Sequence, residues 1–255
     1  MYSPEEPRSS DAPSGNACQP ALFFASKPST VPISRFCSAA ALLVFASACR
    51  ADDFKVDVTY SPGFDTACAL AHLSSIDEAW KTELQSRQEE FIELWKAKGP
   101  QLIATTEAIT GKAFPAHEIE ARLTLCDMPS QAWPSLNLVF VNMRYTLKSA
   151  VAQPVPVRYK VDSLFHELLH VFLAEHPVRE SNLLAQHASE PARTRDHLHL
   201  QALQKAVLIQ LHEDEELKEA IAIDNQLPGG YYKRAWEIIN ATDTEYLKYV
   251  AEVSR

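Results

Sequence analysis

From residue 55 onward the polar and apolar positions fall into two regimes, one repeating every second residue and one every three to four. Lys55 to Tyr60 alternates, with Val56, Val58 and Tyr60 on one side, and predicts a strand. Asp77 to Lys98 carries Trp80, Leu84, Phe91, Leu94 and Trp95 at helical spacing, so a helix is expected there, stopped by Gly99-Pro100. A second helix is expected over Leu102 to Thr110, closed by Gly111. Ile119 to Leu125 and Leu136 to Met143 read as strands on either side of the turn-rich stretch Asp127 to Pro134. From Asp162, placed to cap a helix, the chain reads as almost entirely helical, with loops near Pro177, Pro191 and Pro228-Gly229-Gly230. Trp80, Trp95 and Trp236 fall among apolar neighbours and read as core. A small strand-rich part followed by a mainly helical part is the pattern of an α+β domain.

The first fifty residues follow neither period. Residues 1–34 are rich in Pro, Ser and Ala and read as a disordered extension, or as sequence ahead of a true start at Val31. Arg35 then precedes the apolar run Phe36 to Ala48, which ends in small residues before Asp52-Asp53. That is the layout of a secretory signal over residues 35–51, with cleavage after Ala48 or Ala51. The run is too short to span a bilayer. The expected product is an exported domain over residues 52–255, periplasmic or secreted, with no transmembrane anchor. Cys49 also permits a lipoprotein, a weaker fit because Ala46 stands where such signals carry a larger aliphatic residue. Export leaves Cys68 and Cys126, for which one disulfide is expected.

Composition narrows the function classes. Of 255 residues, 46% are hydrophobic, enough for one sizeable core. The net charge of −9 argues against a nucleic-acid partner.

The chemistry concentrates at residues 166 to 170, His-Glu-Leu-Leu-His. Two histidines four apart on a helix share a face and can chelate one metal ion. On a helical wheel Leu164, Phe165, Leu168, Val171 and Phe172 share one side, and His166 and His170 fall on the other with Glu167 at its edge. Seven of the nine histidines lie between 166 and 212. The motif, and the strand-rich segment ahead of it, resemble the zincin superfamily of metallopeptidases. The resemblance implies a zincin-like fold, one Zn²⁺ held by His166, His170 and a third ligand, and Glu167 as general base toward a peptide or protein substrate.

The third ligand is open among several residues. His176 has the metzincin spacing, but Leu173 replaces the glycine of that pattern and no methionine follows Met143, so the metzincin reading is rejected. A gluzincin-like arrangement would draw on Glu190, which precedes Pro191, on Glu213, which heads an acidic run, or on Glu237, which lies in an expected helix far along the chain and stays a weak option. The cluster Asp196-His197-Leu198-His199 heads a helix expected to reach about Leu211. There His199 falls with Ala202, Leu203 and Ala206, and His197 with Gln201, Gln204 and Lys205. His199 is therefore the first choice and His197 the alternative, with Asp196 as a residue that could orient an imidazole. Tyr231, heading another helix beside Tyr232, could stabilise an oxyanion. His72, His117, His187 and His212 read as surface residues. The competing readings are a non-catalytic zinc- or partner-binding domain and a helical interaction protein without metal.

Overall fold

A computed structural model describes residues 54–71, 75–115 and 118–255; the expected extension and signal, His72 and His117 lie outside them. Alternating Val56, Val58 and Tyr60 form β1 (Lys55–Tyr60), which runs parallel to β2 (Glu118–Thr124) with Val58 opposite Ala121. β2 pairs in parallel with β4 (Leu138–Asn142), and β3 (Gln131–Trp133) closes the sheet antiparallel to β4, giving the order β1-β2-β4-β3. Ile119, Ala121, Leu123, Val139 and Val141 are buried in the core. The fold is thus α+β, a small mixed sheet joined to a mostly helical part.

Helices supply the rest. α1 (Pro62–Ala71) follows β1, and α2 (Glu78–Thr110) is one helix of 33 residues, not the two expected. Pro100 lies inside α2. A proline there forfeits one backbone hydrogen bond and crowds the preceding turn. Two features outweigh this. Leu84, Phe91, Trp95, Leu102 and Thr106 form a single buried stripe that runs through the proline. Gly99 receives the Trp95 ring, where a Cβ would stand 2.6 Å from the indole.

α3 (Val157–Glu175) carries the motif and begins earlier than expected, behind Pro156. Asp162 therefore does not cap it. It sits buried in the helix interior, where burial pushes its carboxyl up to about 7. α4 (Asn182–Gln186), α5 (Ala192–Gln210), α6 (Asp214–Asp224), α7 (Tyr231–Ile239) and α8 (Glu245–Val253) follow. α3 packs on β3 and β4 at one side and on α5 at another. Trp95 and Trp236 are buried and Trp80 packs partly buried against the core.

Two contacts fasten α1 to the end of β2. The buried Asp65 carboxylate accepts from the Tyr60 hydroxyl at 2.8 Å, from Thr124, and from the Leu125 and Cys126 backbone N–H groups. A disulfide joins Cys68 to Cys126, with Cα atoms 6.0 Å apart. Among the described residues no helix is long and apolar enough to cross a membrane.

Candidate metal centre

The third histidine beside His166 and His170 is His197: each offers a ring nitrogen within 4.8 Å of the others. The first choice from the sequence, His199, is not part of this cluster. Its Nε2 meets the Glu252 carboxylate at 2.9 Å, and that carboxylate also accepts from Ser181, tying α5 to α8 and to the cap of α4. His199 is therefore a core histidine with a satisfied partner. The wheel misled because His197, Gln201 and Gln204, read as an outer polar face, are all buried. This face is polar because it serves the site.

Gln204 shows how. Its Oε1 lies 3.1 Å from His166 Nδ1. The Arg193 carbonyl, one turn back on α5, lies 2.6 Å from His197 Nδ1. With Nδ1–H donated in each case, the tautomer is set and the Nε2 lone pair is free. Both Nε2 atoms are buried and have no hydrogen-bond partner among the described residues. Asp196, proposed for the orienting role, is exposed and leaves that task to Gln204 and the Arg193 carbonyl.

Buried polar atoms left unpaired are costly in an ordinary interior, and oriented, neutral imidazoles are what a divalent metal takes as ligands. Tetrahedral zinc with Zn–N near 2.0–2.1 Å sets its nitrogens about 3.4 Å apart. Drawing the cluster to that spacing moves each nitrogen by less than about 1 Å. The donor set fits the ion. Burial also keeps the rings uncharged: it holds His166 well below the ordinary imidazole value, pushes His170 down to about 3, and lowers His197.

Glu167 is buried and, like His166, borders a cavity. Burial raises its carboxyl to about 8, opposed by the Ala132 backbone N–H and by the charge of Lys160. Ala132 belongs to β3, the edge strand, which packs against α3. The cavity has a volume of about 530 Å³ and borders His166, Glu167, Lys160, Gln204, Tyr231 and Tyr232.

Tyr231 lies beside the cluster, but Tyr232 stands closer. The Tyr232 ring centroid is 4.6 Å from that of His197 and 5.4 Å from that of His166; the Tyr231 ring is 5.7 Å from His197. Both are delivered by the turn at Gly229 and Gly230, whose φ angles of 88° and 66° suit glycine.

The remaining ligand candidates are engaged elsewhere. His176 Nε2 lies 2.7 Å from the Ala113 carbonyl, Glu190 and Glu237 pair with Arg234, and Glu213 with Lys98. No protein-family model, curated protein or solved structure matches the chain.

Proposed function

We propose that the chain is a zinc-dependent hydrolase of the zincin type acting on peptide bonds. The observation that carries this reading is the convergence of three imidazoles, two of them buried with Nε2 atoms that have no hydrogen-bond partner among the described residues, beside a buried carboxylate on a cavity. His166, His170 and His197 would hold the ion. Bound zinc supplies a Lewis acid that polarises a carbonyl oxygen and acidifies water.

The protein's part follows from its own residues. Gln204 and the Arg193 carbonyl keep the imidazole lone pairs aimed inward. Glu167 accepts the proton of the attacking water and passes it to the leaving amine. A cation at the histidines opposes the burial that raises Glu167, so the base is ionised when it is needed. Tyr232, and Tyr231 behind it, offer hydroxyls to the oxyanion formed as water adds to the carbonyl.

A structural zinc site is closed by four protein ligands. Here three donors converge among the described residues and one of them, His166, borders a cavity together with Glu167, which favours turnover over a non-catalytic role. The disulfide and the signal-like residues 35–51 favour an oxidising compartment, periplasmic or secreted.

The test is zinc per molecule together with digestion of a diverse peptide library. One tightly bound zinc in wild type and His199→Ala, lost in His197→Ala, is expected, with hydrolysis abolished in Glu167→Gln while its zinc is retained. A wild type that binds no added zinc would sink the reading, and one that binds zinc but cleaves nothing would leave the non-catalytic domain.

A further inference from the structure

Most polar groups around the cavity are spent on one another. The Asp224 carboxylate accepts from the Tyr159 hydroxyl at 2.8 Å and the Trp236 indole N–H at 2.9 Å. The Asn142 amide bridges the Met128 carbonyl and the Arg144 N–H, and the Tyr145 hydroxyl donates to Asp127. Lys160 differs. It is 7% exposed and lines the cavity, yet among the described residues it forms no ion pair. Its ammonium lies 5.3 Å from the centre of the Tyr159 ring and 5.9 Å from that of Tyr145, two faces that hold a cation in place. Lysine is almost never buried unless paired. Burial lowers its pKa to about 8, while Asp224 and Glu167 help to keep the charge, so the group is largely cationic at neutral pH.

We propose that Lys160 forms a subsite for a carboxylate of the substrate, about three residues from the bond that is cut. The spacing comes from the helix. Lys160 and Glu167 are seven residues apart on α3, so they lie about 10 Å apart along its axis. An extended peptide covers 3.3–3.6 Å per residue, so about three residues fit between them. The carboxylate is either a free chain end or an Asp or Glu side chain. The subsite rests on the peptidase reading for its substrate, but its binding step can be measured without turnover.

Four dansylated alanine hexapeptides serve as probes: the free acid, its C-terminal amide, and two amides with an internal Glu or Gln. Binding to the full chain freed of metal with EDTA is followed by fluorescence anisotropy. The acid or the Glu peptide is expected to bind roughly tenfold or more tighter than its neutral counterpart. That ratio should fall to about one in Lys160→Met and persist in Lys160→Arg, which also shows that the site tolerates substitution. Whether the acid or the Glu peptide gains identifies the source of the carboxylate. Equal binding of charged and neutral peptides by wild type, no binding at all, or a preference that survives Lys160→Met overturns the proposal. Cleavage of the same peptides by the zinc-loaded chain tests the other reading separately. Preference without cleavage leaves the subsite and removes the peptidase, and cleavage without preference does the reverse.

Discussion

Replacing Gln204 by leucine removes one acceptor and little volume, and so asks whether the His166–Gln204 contact exists to orient a metal ligand. Gln204 is 3% exposed and its Oε1 lies 3.1 Å from His166 Nδ1. In the metal-free chain the variant leaves a buried N–H without a partner, at a cost of about 1–3 kcal/mol. The informative quantity is the further effect on zinc. Loss of a partner that orients a ligating histidine lowers metal affinity ten- to hundredfold, or about 1.4–2.7 kcal/mol. With zinc in excess the stabilisation by binding shrinks by the same amount. For a domain of this size 1 kcal/mol moves Tm by about 2–4 °C. The rise in Tm on adding zinc should therefore be smaller in Gln204→Leu than in wild type by about 3–11 °C. Differential scanning fluorimetry with and without zinc measures it, and His199→Gln, on the same helix but outside the cluster, should keep the wild-type rise. An unchanged rise in Gln204→Leu would refute the orienting role, and a rise lost in His199→Gln would refute the ligand set.

Three further outcomes are expected. Tyr232→Phe should retain its zinc and lower kcat about a hundred- to a thousandfold if the hydroxyl serves the oxyanion; unchanged kcat would move that role to Tyr231. Asp162 is buried and its folded pKa of about 7 stands above its ordinary 3.8. Its contribution to stability is complete below 3.8 and is lost as pH rises through about 7. Asp162→Asn should thus gain on wild type by a few kcal/mol between pH 4 and pH 8 in denaturant unfolding, and a constant difference would contradict the shift. The disulfide spans 58 residues, and loop entropy assigns it about 4 kcal/mol. Cys68→Ser with Cys126→Ser should therefore lower Tm by several degrees or more, whereas an equal Tm would mean that the clamp of Asp65 suffices alone.

The parts of the fold that were legible are those where a periodic run meets a single environment. β1, β2 and β4 are half-buried or buried runs several residues long, and the sequence periods place them to within a few residues. β3 escaped because three residues, Gln131 to Trp133, are too short to show alternation, although they form the sheet edge that packs against α3. α1 escaped because its anchors, Asp65 and Cys68, work through contacts at residues 124 to 126 that no local pattern announces. Gly99-Pro100 is a stop signal that long-range packing overrode.

The misplaced ligand has a more general cause. Assigning the inward face of α5 by polarity assumes that burial follows hydrophobicity, which fails where a buried face must present donors and acceptors to an ion. Thr194, His197, Gln201 and Gln204 recur at spacings of three and four on α5, and all four are buried. A stripe of neutral polar residues at core spacing, free of Lys and Glu, is not the composition of a solvated face, which carries charge. The charged residues of α5, Arg193, Arg195, Asp196 and Lys205, flank that stripe and are partly or wholly exposed. Between Thr194 and Gln204 that stripe carries no charge, a feature of the residues themselves that favours His197 over His199 even though Arg193 and Lys205 flank it.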